Sequence, residues 1–251
     1  MPYKREKATS FHRKNLCWNC NGFLVLILIT VIFSLNSCNF WTPDKKQPVK
    51  VAVSTSSEVI INDTSRTLVI GLLPFGDFDA NLLNKEREEI EEFYDVKCIV
   101  VPMHYLPESA YNSHRERYFA DSLLDYLESA RPSTVNYIVG LTNKDISTKK
   151  GNYSDWGIFG LGYMPGDVCI VSTYRLSDDS TGQAVLSDRL TKTVLHELGH
   201  NFGLDHCPTV GCLMEADDYG DKIDTEGKWF CINCQKKLSS VANGLYRHRG
   251  D

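Results

Sequence analysis

From about residue 67 the apolar positions fall into runs whose period changes from segment to segment, and each period predicts an element. "TLVIGLLP", residues 67–74, is a short continuous apolar run closed by a proline, the pattern of a buried strand. "DFDANLLNKEREEIEEFYD" follows, with Leu82, Leu83, Ile90 and Phe93 on one helical face and Glu and Lys on the other. "VKCIVVP" predicts a second strand. "ERYFADSLLDYLESA", residues 116–130, predicts a second helix, with Phe119, Leu123, Tyr126 and Leu127 at helical spacing and Pro132 just beyond. "VNYIVGLT" predicts a third strand. Strand, helix, strand, helix, strand implies parallel pairing with right-handed crossovers.

The next stretch, "WGIFGLGYMPGDVCIVST", predicts an edge strand, a turn at Pro165-Gly166 and a return strand carrying Val168, Cys169, Ile170 and Val171. Glycines at 157, 160 and 162 leave the edge sparse in side chains, so an extended peptide could pair with it; a glycine-rich connecting loop is the alternative. "SDRLTKTVLHELGHNFG" then predicts a helix, with Ser187 as N-cap and Leu190, Val194, Leu198 and Phe202 on its buried side. The expected fold is α/β (α+β): a mixed, twisted sheet with one antiparallel edge strand, lying over the helix that contains "HELGH".

Residues 1–37 have a different pattern. A basic segment precedes the apolar run "FLVLILITVIF", Phe23 to Phe33. As a helix this run is about 16–20 Å long, short of the roughly 30 Å core of a bilayer. It reads as an export signal. The run ends in "SLNSC", which resembles a lipoprotein lipobox with Cys38 as the lipidated residue; a plain cleaved signal or an uncleaved N-terminal anchor is the alternative. Residues 38–66, rich in Pro, Lys, Ser and Thr, read as a flexible tether, with one short strand near "VIIND", and 67–251 as the folded domain. The expectation is therefore an exported protein of a bacterial cell envelope, bound to the membrane through acyl chains on Cys38.

Charge narrows the partners. The chain of 251 residues carries a formal −5, but residues 38–251 alone come to −9. Such a body is repelled by phosphate backbones, so no nucleic acid is expected, and the short basic "YRHRG" near the end does not reverse this. A monomer is expected.

The candidate chemistry lies in "HELGHNFGLDHC". His196 and His200 are four residues apart and project from one helix face, where two imidazoles can bind one Zn²⁺. Glu197 stands beside the first, where a carboxylate can take the proton of a metal-activated water. Gly203 can end the helix and turn the chain, so that His206 closes the site from outside it. Three imidazoles leave a fourth position open, which marks a catalytic zinc. Cys207, Cys212, Cys231 and Cys234 have the spacing of four thiolates on a structural zinc; in an exported chain two disulfides, in any of three pairings, are the alternative.

Together these residues resemble the metzincin pattern, and more narrowly the archaemetzincin family: a cysteine directly follows the third histidine, a second comes five residues later, Met214 falls at the Met-turn, and "CINC" completes the set. The resemblance covers about residues 66–245. It implies a zinc metallopeptidase with His196, His200 and His206 on catalytic zinc, Glu197 in acid–base work and the four cysteines on a second zinc. A zinc-stabilised module that binds a peptide or partner without turnover is the competing function, and pure ligation gives Glu197 no task. Of the remaining residues, Cys98 and Cys169 read as buried hydrophobes or a disulfide, His104 and His114 as surface or half-buried histidines, and Tyr219 as a surface residue or an oxyanion donor.

Overall fold

A computed structural model describes residues 68–215, 222–241 and 246 of the chain. Its strands are β1 (Val69–Pro74), β2 (Lys97–Val100), β3 (Tyr111–Asn112), β4 (Arg117–Phe119), β5 (Tyr137–Thr142), β6 (Ile146–Lys150), β7 (Tyr153–Ile158), β8 (Gly160–Gly162) and β9 (Val168–Ser172). The helices are α1 (Ala80–Tyr94), α2 (Ala120–Ala130), α3 (Gln183–Asn201) and α4 (Ile232–Val241).

The main sheet has the order β2-β1-β5-β9-β8. β1, β2, β5 and β9 are parallel, and β8 runs antiparallel to β9 at the edge, as the sequence predicts. Side chains alternate between its faces. Ile70, Leu72, Val139, Leu141, Cys169 and Val171 pack with Leu82 and Ile90 of α1 and with Leu190, Val194 and Leu198 of α3. Leu73, Ile138, Val168 and Ile170 point the other way and meet Leu123, Leu124 and Leu127 of α2. Each such leucine or isoleucine, fully buried, contributes roughly 1.5–3 kcal/mol of transfer free energy.

Local signals set the ends of α1. The Asp79 carboxylate accepts from the amides of Asn81 and Leu82 at 2.7 and 3.0 Å, and Asp95 in the left-handed region (φ 47°) stops the helix. The Tyr94 hydroxyl then donates to the Leu195 carbonyl at 2.7 Å, inside the core, and so fixes α1 against α3. An aromatic group of Phe93, Tyr94, Phe202 and Phe230 extends this contact to the segment before α4.

Three expectations need correction. The second helix starts at Ala120, not Glu116: Arg117–Phe119 is a strand, parallel to β6 in a second sheet of order β3-β4-β6-β7. The predicted single edge strand is split at Phe159, with β7 in the second sheet and β8 in the first. Ser187 is not an N-cap; α3 starts a turn earlier with Gly182 at the cap, and Ser187 is buried in its second turn. Cys98 and Cys169 are free and buried, on strands separated by β1 and β5, so they form no disulfide. The export segment, Cys38, the tether and Tyr219 lie outside the described residues. No helix among the described residues is long and apolar enough to cross a membrane.

Candidate active site and metal centres

Helix α3 runs under the edge of the main sheet and carries His196, Glu197 and His200 on its last turns. Its end is a Schellman arrangement around Gly203, whose φ is +86°. The Gly203 amide donates to the His200 carbonyl at 2.8 Å and the Leu204 amide to the Gly199 carbonyl at 2.9 Å. This turn sends the chain back along the helix and sets His206 opposite His196 and His200.

The three rings converge. His206 Nε2 lies 3.3 Å from His196 Nε2 and 3.2 Å from His200 Nε2. Two of the rings are fixed from behind: His196 Nδ1 is 2.6 Å from the Leu213 carbonyl oxygen and His200 Nδ1 is 2.7 Å from that of Leu204. A carbonyl only accepts, so each Nδ1 carries the proton and each Nε2 keeps its lone pair toward the shared point. Nitrogens 3.2–3.3 Å apart are at the edge length of a tetrahedron whose centre is about 2.0 Å away, the Zn–N distance. Burial holds the His200 imidazole below its ordinary pKa, and the neighbouring His206 pushes it the same way. The donor set therefore fits zinc.

Glu197 is buried next to this group, and burial raises its carboxyl to about 8. It lies directly under β8: a Cβ at Gly160 would be 2.8 Å from Glu197 Cγ and Oε1. β8 can therefore pass this close only as a glycine-bearing strand. Glu197, the three histidines and the β7–β8 edge line one cleft of about 670 Å³.

Met214 is fully buried against the helix, and a Cβ at Gly199 would be 2.6 Å from its sulfur. The segment around Met214 is held on both sides, by His196 on the Leu213 carbonyl and by the Cys207 amide on the Met214 carbonyl at 2.7 Å. Met214 thus packs against the helix turn that carries His196 and His200.

The four cysteines predicted to act together do meet. Their Sγ atoms all lie within 4.8 Å of one another, with Cys207 to Cys231 at 3.5 Å and Cys212 to Cys234 at 3.9 Å. All four are free. The distances are far above the roughly 2.05 Å of a disulfide and bracket the ~3.8 Å edge expected for zinc with sulfurs at about 2.3 Å. The amides of Thr209 and Cys231 donate to the sulfurs of Cys207 and Cys212 at 3.4 and 3.3 Å. This donor set also fits zinc.

Sequence reasoning missed the backbone acceptors at Leu204 and Leu213, which have no side-chain signature. It also missed Arg175 and Lys150, which line the cleft from distant segments. His104 is half-buried with Nδ1 2.8 Å from the Tyr126 hydroxyl, and His114 is exposed; neither joins the site.

Comparison with known proteins agrees with this geometry. Peptidase family M54 matches residues 75–240, from the end of β1 into α4. The archaemetzincin of Halobacterium salinarum is 30% identical over 176 residues, covering 67% of this chain and 98% of the relative. That of Thermococcus kodakarensis is 31% identical over 180 residues, covering 68% and 95%. The crystal structure of archaemetzincin from Methanopyrus kandleri superposes with a TM-score of 0.62 at 28% identity, over 72% of this chain and 98% of that one. A zinc-dependent peptidase from Methanocorpusculum labreanum superposes with a TM-score of 0.59 at 25% identity, over 67% and 99%. Sequence match and shared fold lead to one conclusion: the chain belongs to peptidase family M54, the archaemetzincins, and is a zinc metallopeptidase.

Proposed function

We propose that His196, His200 and His206 hold the catalytic zinc of this peptidase and that Glu197 is its acid–base residue. The observation that carries this reading is the convergence of three Nε2 atoms, 3.2 and 3.3 Å from one to the next, with two rings fixed by backbone carbonyls. Zinc held by three imidazoles supplies Lewis acidity, which polarises a carbonyl and brings the pKa of bound water down to about 7. The chain's own residues supply the rest. β8 is the outer strand of the main sheet, so its free backbone edge can pair with an extended peptide and align it along the cleft. Gly160 lets that peptide lie directly over Glu197. The charge of a zinc ion held beside it would favour the ionised Glu197 carboxylate, which accepts a proton from the attacking water and returns it to the leaving amine nitrogen. Its burial keeps bulk water away from that transfer.

Cys207, Cys212, Cys231 and Cys234 hold a second, structural zinc in this reading, giving two per chain. It ties the loop bearing His206 to α4, because Cys207 follows His206 directly and Cys234 lies within α4. The enzyme works as an exported monomer, tethered by lipid on Cys38. The basic segment and short apolar run before Cys38 support this placement.

Glu197→Ala tests the assignment. The variant should lose cleavage of a peptide library while keeping wild-type zinc content; cleavage at the wild-type rate would remove Glu197 from this role. A wild-type protein that binds peptides without turnover would favour the non-catalytic module instead.

A further inference from the structure

Arg175, three residues beyond β9, lines the same cleft as the catalytic group. Its Nε and Nη2 donate to the two oxygens of Asp145 at 2.6 and 2.9 Å. A guanidinium has five N–H donors in a rigid plane, and this pairing uses one edge. No described residue takes the outer edge, Nη1 and the second hydrogen of Nη2, and the side chain is 33% exposed. The guanidinium lies across the backbone of Gly157, where a Cβ would overlap its Cζ. Only a glycine at 157 admits it to the cleft wall.

Guanidiniums cluster around the same carboxylate. Asp145 is 7% exposed and also lies 3.0 Å from Arg117 Nε. Arg117 and Arg115 reach the next carboxylate, Asp155, at 3.5 and 3.3 Å. Three guanidiniums thus share two carboxylates. Lys150, with its ammonium 5.3 Å from the Trp156 ring centroid, lines the same cleft. The acids that line the cleft besides Glu197, Glu215 and Glu226, both follow Met214 in the chain, and Glu215 is engaged by Lys222 Nζ and the Gly211 amide, each at 2.8 Å.

An arginine with one edge locked and the other in a cleft is preorganised to take a carboxylate through two parallel hydrogen bonds. We propose that Arg175 is a specificity-determining residue that binds a carboxylate of the peptide substrate. This rests on the peptidase reading of the cleft given above. Gly157, in β7, precedes Gly160, in β8, by three residues across the break at Phe159, so the two are at most about 10 Å apart along the chain. On a peptide laid antiparallel to β8, the path from Gly160 to Gly157 runs toward the peptide's C terminus. The carboxylate then sits at most about three residues beyond the scissile bond, at the strand rise of roughly 3.3 Å per residue. It is either the terminal carboxylate of a short peptide or an Asp or Glu side chain at that distance.

The zinc-loaded full chain and its Arg175→Gln variant would be compared on two matched peptide sets. One set has free or amidated C termini two or three residues past the cleavage point. The other has Glu or Gln at those positions within longer amidated peptides. The readout is the ratio of kcat/KM within each pair, which a general folding defect does not move. The wild type should favour the carboxylate by roughly tenfold or more in one set, the value of charge-assisted hydrogen bonds. The set showing the preference identifies its source, and the ratio should fall to near one in Arg175→Gln. A wild-type ratio near one in both sets, or a preference kept by Arg175→Gln, overturns the proposal. The same peptides, fluorescently labelled, would be titrated against Glu197→Gln with and without Arg175→Gln. An Arg175-dependent preference in Kd, with no turnover by the wild type, upholds the carboxylate site and removes the peptidase assignment. No preference in Kd removes the proposal whatever the turnover.

Discussion

Replacing Gly160 with alanine asks whether β8 sets the position of Glu197. The new Cβ would lie 2.8 Å from both Cγ and Oε1 of Glu197. Non-bonded carbons rest at about 3.5–4.0 Å, so one partner must move by roughly 0.7 Å or more. The strand is held: Gly160, Leu161 and Gly162 pair with Val171, Ile170 and Cys169, and the Ser172 amide donates to the Phe159 carbonyl at 2.8 Å. The Glu197 side chain therefore swings while the helix backbone and the imidazoles stay. A shift approaching 1 Å in a proton-transferring group costs on the order of 10–100-fold in rate, or about 1.4–2.7 kcal/mol in the barrier. The assay is kcat on a peptide substrate, with zinc content and melting temperature measured on the same sample. The expected result is kcat down by about that factor with zinc content unchanged. A folded, zinc-loaded Gly160→Ala enzyme with wild-type kcat would show that β8 does not set the position of Glu197.

Other consequences follow from single groups. Glu86 is fully buried on α1, its Oε1 accepts from the Thr191 hydroxyl at 2.8 Å, and burial pushes its carboxyl from 4.5 up to about 8. The folded state therefore holds more protons than the unfolded one between pH 4.5 and about 8, so stability from this site is full at the acid end and is lost as pH rises through that window. Glu86→Gln should match the wild type in melting temperature at pH 5 and exceed it at pH 8, where the stability gap reaches up to a few kcal/mol at about 1.4 kcal/mol per pKa unit; parallel pH profiles would contradict this. Gly203→Ala forces a side chain to φ +86° and should cost about 1–2 kcal/mol, lowering the melting temperature by several degrees and weakening zinc at the histidine site. Chelation should remove one zinc readily, with loss of activity, and leave the cysteine-held zinc until the protein unfolds; simultaneous loss of both would argue against two distinct sites.

Much of the site was legible because its chemistry follows local spacing. His196, His200, Gly203 and His206 lie within eleven residues, and a helix with a glycine turn can bring them together in only a few ways. The parallel strands were legible because buried runs such as Val69–Pro74 and Val168–Ser172 are continuously apolar. The second sheet was not. Its β6–β7 hairpin reads "ISTKKGNYSDWGI", with polar residues through most of both strands, so neither period stands out. Phe119 misled for a different reason: it has helical spacing to Leu123, but its backbone is extended at the cap. Ser187 looked like a cap because the residues before it have no strong pattern, yet helix propensity carries α3 back to Gln183. The pairing of Asp145 with Arg175 spans 30 residues and depends on the sheet topology, which no local pattern encodes.

The most direct test of the central claim is anomalous diffraction at the zinc edge from crystals of the zinc-loaded chain. A peak is expected about 2.0–2.1 Å from Nε2 of His196, His200 and His206 together. An enzyme that cleaves peptides while showing no zinc at that point would contradict it.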